Sequence, residues 1–254
     1  MSLLRAEGLC KEFGGLHALD AVGLAAAPGT VYSIIGPNGA GKTTLLNLLT
    51  GIYRPSAGHI WIGARELTGR APHEFAAAGI GRTFQNLQVF FNMSALENVM
   101  AGRYLHERCS LAAALLRFPS LVRAERACRE QALELLAFVG LERHAHASAA
   151  GLPYGALKRL EIARALAAQP KVLLLDEPAA GLNATETQQV DRLIQQLARR
   201  GITVVLVEHN MKLVMGVSDH VLVLDYGRML AEGDPAAVRG DPRVVEAYLG
   251  VGER

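Results

Sequence analysis

The sequence predicts an α/β fold with a mainly parallel core sheet, an antiparallel β subdomain and an inserted helical subdomain. Three observations carry this expectation. Short β-branched and leucine-rich runs alternate with stretches of helix formers. Two of those runs, residues 171–175 and 203–207, are almost wholly apolar, as strands covered on both faces are. Residues 94–141 contain no convincing strand and are dominated by Arg, Glu, Ala and Leu.

In chain order, residues 4–13 and 19–26 read as an antiparallel pair. Residues 30–35, bounded by Pro28-Gly29 and Gly36, read as a strand that feeds a helix over 42–50. In the middle segment Pro119 divides the chain into at least two helices, whose amphipathic faces are expected to pack on each other. A helix is predicted over 156–168. The strand 171–175 follows Pro170 and ends in Asp176-Glu177-Pro178. A helix over 185–200 and the strand 203–207 come next, and residues 220–225 turn at Tyr226-Gly227 into 228–233 as a hairpin, which is expected, like the 4–26 pair, to flank the parallel core as a smaller antiparallel piece. The expected organisation is one domain over residues 1–250. Its α/β core and antiparallel part comprise 1–85 and 160–235, the helical subdomain spans about 86–159, and 236–254 form a C-terminal helix and tail.

Composition narrows the function. A chain of 254 residues, 50% hydrophobic and 20% charged, can bury one large core with a smaller attached subdomain. A net charge of +2 supplies no basic footprint for nucleic acid. Cys10, Cys109 and Cys128 are scattered, with no CxxC spacing, and read as free thiols of a reducing compartment. The start Met1-Ser2-Leu3-Leu4-Arg5 lacks the pattern of a signal peptide, and the apolar run at 111–116 stops at Arg117, far short of a membrane span. The expectation is a soluble cytoplasmic protein whose membrane role, if it has one, comes through a partner.

The chemistry begins at Gly36-Pro37-Asn38-Gly39-Ala40-Gly41-Lys42-Thr43, followed by Thr44, which satisfies GxxxxGK[ST] at each fixed position. It follows a strand and opens a helix, as a phosphate-binding loop must. Glycines let the backbone wrap a phosphate, and successive N–H groups form a nest for its oxygens. Lys42 brings a point charge toward the β- and γ-phosphates, and the Thr43 hydroxyl suits Mg²⁺. The apolar strand 171–175 then delivers an acidic pair to the sheet edge where α/β folds bind ligands. There Asp176 would hold the Mg²⁺ shell through water and Glu177 would polarise an attacking water. Taken alone, such a pair is equally a helix cap or a solvated turn. Gly151-Leu152-Pro153-Tyr154-Gly155-Ala156 precedes a run of helix formers. A helix start collects unpaired N–H groups and partial positive charge, so an anion is its natural guest, although Pro and Gly here also serve simply to turn the chain.

The order of these features, with Gln85 after a strand and His209 after a later one, resembles the ATPase domain of ABC transporters over nearly the whole chain. The resemblance implies a P-loop NTPase (ABC ATPase) fold that uses ATP and Mg²⁺. It assigns Gln85 as a Mg²⁺ ligand and sensor of the transporter, and His209 as the contact to the γ-phosphate. Phe13 becomes the aromatic that stacks on adenine, and 152–156 the signature segment. Pro153, Tyr154 and Gly155 would then meet ATP held by a second ATPase subunit. Two departures stand out. Pro153 replaces the usual Ser and has neither hydroxyl nor amide hydrogen, and Asn183 replaces an Asp that couples the two sites of a dimer.

Four stretches are similar to one ATPase subunit of branched-chain amino acid importers: Arg82-Thr83-Phe84-Gln85, residues 176–183, Glu208-His209-Asn210-Met211, and the ending Ala247-Tyr248-Leu249-Gly250. That branch implies a paralogous ATPase partner, with a homodimer as the alternative. It also implies two membrane permease subunits, a periplasmic or surface solute-binding protein, and a peripheral place on the cytoplasmic face of the inner membrane. Related ATPases serve amide or urea uptake and lipopolysaccharide export. Residues 86–97, read as a helical segment, are the expected docking surface for a membrane subunit. Val89-Phe90-Phe91 and Met93 form its apolar cluster, which serves equally as buried core. A soluble ABC-type ATPase of DNA repair or translation would be expected to carry a long coiled-coil insertion or a second ATPase domain. A P-loop kinase or GTPase would leave the signature helix and His209 unexplained.

Overall fold

The computed structural model describes residues 2–103 and 119–249. Cys109, the apolar run at 111–116 and the tail from Gly250 lie outside the described residues. The chain divides into two compact units, Met1–Arg82 with Lys171–Arg254, and Thr83–Pro170.

The first unit holds two sheets. Strands β1 (Leu4–Phe13), β2 (Leu16–Ala26), β4 (Ala57–Ile62) and β5 (Arg65–Glu66) form an antiparallel sheet in the order β2-β1-β4-β5. The second sheet contains β3 (Val31–Ile35), β6 (Ile80–Arg82), β7 (Val172–Asp176), β8 (Thr203–Val207), β9 (His220–Asp225) and β10 (Arg228–Gly233). Their order is β10-β9-β3-β8-β7-β6. Strands β6 through β9 and β3 pair in parallel, and β10 alone runs antiparallel, on β9.

This corrects one reading from the sequence. The hairpin at 220–233 does not flank the parallel core as a separate piece: β9 is inside it, paired with β3. The reason is legible in Val221-Leu222-Val223-Leu224, all fully buried, which suits a strand covered on both faces. Strand β2 also begins three residues earlier than the apolar pattern suggested, because Leu16 and His17 pair with the end of β1 while staying exposed.

The two faces of the parallel sheet build two clusters. Ile34, Leu174, Val205, Leu222 and Leu224 pack with α1 (Lys42–Leu49) and with Leu4, Leu9, Leu19 and Leu24 of the antiparallel sheet. Each fully buried leucine there contributes about 2 kcal/mol of transfer free energy. The alternate residues Ile35, Val221 and Val223 pack with Val214 of α7 (Met211–Val217), Val238 of α8 (Pro235–Gly240) and Val244 of α9 (Pro242–Leu249). The remaining helices of this unit are α2 (Pro72–Ala77) and α6 (Ala184–Arg199).

The second unit is helical: α3 (Ala95–Ala101), α4 (Pro119–Phe138) and α5 (Tyr154–Ala167), each packed on the other two. Helix α4 turns Cys128, Ala132 and Leu136 inward at four-residue spacing, the stripe of an amphipathic helix. Pro119 stands at its first position, where a missing amide removes no helical hydrogen bond. Among the described residues, no helix is long and apolar enough to cross a membrane.

Candidate functional site

Three adjacent parallel strands, β3, β8 and β7, end on the same edge of the sheet, and the loop after each carries a predicted site residue. After β3, residues 36–41 lead into α1 with Gly36, Gly39 and Gly41 all at positive φ. Lys42 opens the helix and is buried. Its Nζ donates to the carbonyls of Gly36 at 2.7 Å and Pro37 at 2.8 Å, so the ammonium is folded into its own loop. Burial lowers the Lys42 pKa, opposed by the carboxylates of Glu177 and Asp176. Thr43 is exposed and Thr44 half-buried.

After β7 comes the acidic pair. Asp176 is the last strand residue and is buried. Glu177 follows in the left-handed region at φ 48°, a conformation that costs a non-glycine residue about 1–3 kcal/mol and is concentrated at functional sites. Its amide is held by the Val207 carbonyl at 2.9 Å. Its Oε1 accepts from His209 Nε2, 2.8 Å away, in the loop after β8. Lys42, Asp176, Glu177 and His209 thus lie within one unit, linked by electrostatics and a direct hydrogen bond.

Two buried charges complete this part, and both escaped the reading of the sequence as site residues. Glu208 is 3% exposed and accepts from the Ala179 amide at 2.8 Å and the His209 amide at 3.1 Å. It ties the loop after Glu177 to the loop bearing His209. Burial raises its pKa, countered by these amide bonds. Glu208→Gln would replace one acceptor with an NH₂ facing an N–H group. A stability loss of about 1–3 kcal/mol is expected, read by thermal denaturation, together with slower hydrolysis from a loosened His209. Arg82, at the end of β6, donates to Asp176 Oδ2 at 3.0 Å and to Asn47 of α1 at 2.7 Å. Both lie in stretches that carry the resemblance, Arg82-Thr83-Phe84-Gln85 and Glu208-His209-Asn210-Met211, but nothing in the sequence names the partner of either.

Metal and nucleotide chemistry suits these donors. Among the described residues there is no group of three His, Cys, Asp or Glu that could hold a metal by itself. Magnesium needs none: it is commonly held by one or two protein oxygens with substrate phosphates and water. Thr43 and Asp176 are oxygen donors of that kind, and the glycine-rich loop with its buried ammonium is a cradle for anionic oxygens.

The helical unit places the other predicted residues. Helix α5 begins at Tyr154, two residues before the predicted start, because Pro153 at φ −57° serves directly as its N-cap. Gly155 therefore lies inside the first turn and is buried, whereas Tyr154 is exposed. The same helix grips the Gln85 loop. Lys158 Nζ donates to the Gln85 carbonyl at 3.1 Å, the Phe84 amide donates to Glu161 at 3.2 Å, and Arg164 donates to the Gln88 carbonyl. Lys158 and Glu161 are buried, and burial raises the Glu161 pKa against the Phe84 amide bond. The Gln85 side chain itself is exposed.

Residues 86–97 are not one helical segment. The chain is irregular to Met93, and α3 starts only at Ala95, where Ser94 and Glu97 form a capping box. The buried Asn98 satisfies both the amide and the carbonyl of Phe90, at 2.8 and 2.9 Å, and so substitutes for helical bonding. Val89 is buried, while Phe90 and Phe91 are exposed, Phe90 lying under the Arg164 guanidinium. Asn183 caps α6, accepting from the Glu186 amide at 2.9 Å. Phe13 is 42% exposed at the end of β1, edge-on to Tyr53 and with Lys11 over its ring. His144 and His146 are exposed.

Comparison with known proteins agrees with this fold. Residues 19–180 match a family described as ABC transporter, and residues 228–254 one described as branched-chain amino acid ATP-binding cassette transporter. The chain is 45% identical to the high-affinity branched-chain amino acid transport ATP-binding protein BraF of Pseudomonas aeruginosa, over 98% of each. It is 44% identical to LivG of Escherichia coli K12, a protein of the same description, again over 98% of each. Among solved structures, a nucleotide-free ATP-binding cassette from an ABC transporter aligns with a TM-score of 0.85 at 34% identity, covering 98% of this chain and 99% of that one. The ADP conformation of such a cassette aligns with the same TM-score.

Proposed function

Because this chain belongs to the ABC transporter ATP-binding family, we propose that it is the ATP-hydrolysing subunit of an importer for branched-chain amino acids. The observation that carries the substrate is the identity of 44–45% with branched-chain amino acid transport ATP-binding proteins along almost the whole length of both chains.

In this reading the loop at 36–44 wraps the phosphates, and Lys42 leaves its two loop carbonyls for phosphate oxygens. Thr43 and Asp176 would hold Mg²⁺, Asp176 through water, with Gln85 as the further ligand that the family resemblance assigns, and the ion would supply charge neutralisation on the phosphates. Glu177, held by its hydrogen bond to His209, takes a proton from the attacking water, and His209 is the γ-phosphate contact that the family resemblance assigns. Attack by water is direct, with no covalent intermediate, so positioning and electrostatics supply most of the acceleration. Phe13 stacks on adenine. Pro153, Tyr154 and Gly155 open α5 toward the nucleotide of a second ATPase subunit. Pro153 offers no donor, so the amides of the first turn and the helix dipole make that contact.

The partners are a second, paralogous ATPase and two membrane permease subunits, with a solute-binding protein acting through the latter. The exposed Phe90 and Phe91, on a loop pinned by Asn98, form the docking surface for a permease helix. The protein sits peripherally on the cytoplasmic face of the membrane. Uptake of labelled leucine and labelled urea by cells lacking the protein tests the substrate. Leucine uptake should fall and return with the wild-type gene but not with Glu177→Gln. Unchanged leucine uptake, or loss of urea uptake instead, would overturn the assignment.

A further inference from the structure

We propose that Arg82 is a positioning residue for the magnesium ion: one buried guanidinium sets the spacing between the carboxylate of Asp176 and the helix that presents Thr43. The proposal rests on the reading above that Asp176 and Thr43 serve the metal.

Strand β6 lies beside β7, with Arg82 in register with Leu174, so its side chain reaches the end of β7. Nη2 donates to Asp176 Oδ2 at 3.0 Å. Nη1 donates to Asn47 Oδ1 at 2.7 Å and Thr50 Oγ1 at 3.2 Å. The Arg82 and Asp176 side chains are 6% and 5% exposed, so neither is screened by solvent. Asn47 lies on α1, one turn beyond Thr43. A single rigid cation therefore joins the two elements that supply the metal-binding oxygens.

Neutralising Asp176 would need only the ion pair. The two further bonds, to uncharged groups on another element, are what a spacer requires. A planar fork with fixed donor directions can satisfy three acceptors on two elements, whereas an ammonium on a flexible stem cannot hold the same directions. The bond to Oδ2 also stops the carboxylate from rotating, which aims the group before the metal arrives. Hydrogen-bond partners of metal-binding groups act in this way, orienting the oxygen without touching the ion.

The test uses the full chain, with Arg82→Lys, which keeps the charge, and Asn47→Ala, which leaves the ion pair intact. Binding of a fluorescent ATP analogue is titrated with MgCl₂ and compared with binding in EDTA. The magnesium concentration for half-maximal enhancement should rise about tenfold in Arg82→Lys and about threefold in Asn47→Ala, with metal-free nucleotide affinity unchanged. If Arg82→Lys does not fold, Asn47→Ala carries the test alone. Magnesium curves that overlay the wild type, with effects confined to melting temperature, would show a purely structural ion pair and overturn the proposal. Asp176→Asn separates the two levels. A shifted curve in Asp176→Asn with unshifted curves in the other two sinks the role of Arg82 alone. An unshifted curve in Asp176→Asn overturns the metal reading and the proposal together.

Discussion

Glu177→Gln is expected to lower steady-state ATP hydrolysis by a factor of about 10²–10⁴, the range general-base catalysis contributes, while leaving nucleotide binding intact. The substitution keeps the size of the side chain and its position after β7, and it retains an oxygen that accepts from His209 Nε2, 2.8 Å from Oε1 in the native pair. It removes the ability to take a proton, together with one of the two carboxylate charges that act on Lys42. The backbone reinforces the argument. Glu177 sits at φ 48°, an unfavourable conformation held by the Val207 carbonyl on its amide and by Glu208 on the Ala179 amide two residues later. Strain at one residue, held by bonds from a neighbouring loop, aims a side chain in a direction that a relaxed strand end would not. Phosphate release and equilibrium binding of a fluorescent ATP analogue separate the steps. Binding at wild-type affinity with hydrolysis lost is the expected pair, and hydrolysis within a few-fold of wild type would remove Glu177 from the chemistry. Bound nucleotide should then accumulate on this variant, because turnover alone is blocked.

How much of this was legible in the sequence depends on what kind of constraint each residue obeys. The phosphate loop was readable because its chemistry demands fixed residue types at fixed spacing in one short stretch. Asp176-Glu177 was readable only with the phosphate loop upstream, since such a pair alone is equally a cap or a turn, and His209 only through the order of motifs that resembles the ABC ATPase domain. Arg82, Glu208, Lys158 and Glu161 were not, since their roles come from partners far along the chain. Arg82 meets Asp176 across 94 positions, and Lys158 meets Gln85 across 73. A charged residue on a helix such as Arg159-Leu160-Glu161 looks solvated until packing shows it at 5% exposure. Strand β4 escaped notice for a related reason. In Ala57-Gly58-His59-Ile60-Trp61-Ile62 only Ile60 and Ile62 are buried, so the alternation is too short to stand out against Gly58 and His59. The loop at 86–93 was misread as helical because its backbone partner is a side chain, Asn98, and side-chain bonding of this sort leaves no periodic trace.

Gly36→Ala should damage the protein more than any other single methyl added to the phosphate loop. Gly36 has φ +149°, and a Cβ there would lie 2.1 Å from the Leu224 carbonyl oxygen and 3.1 Å from its carbon. That obstacle is backbone, inside a fully buried stretch of β9 paired to β3, so no rotamer change relieves it. The loop or the strand must shift, and either shift disturbs Lys42, whose ammonium is bonded to the Gly36 carbonyl at 2.7 Å. Overpacking of about 1–3 kcal/mol adds to conformational strain of similar size, giving a loss of about 3 kcal/mol or more. For a chain of this length, that corresponds to about 6–12 °C in melting temperature. Gly39→Ala is the internal control. Its φ is +82°, so the added methyl is conformationally strained, yet nothing among the described residues lies within 4 Å of it. It should cost only about 1 kcal/mol in the nucleotide-free protein. Thermal denaturation without nucleotide measures the two directly. A Gly36→Ala protein as stable as Gly39→Ala would mean that β9 yields easily at Leu224, and the rigidity attributed to the loop's first residue would be lost with it.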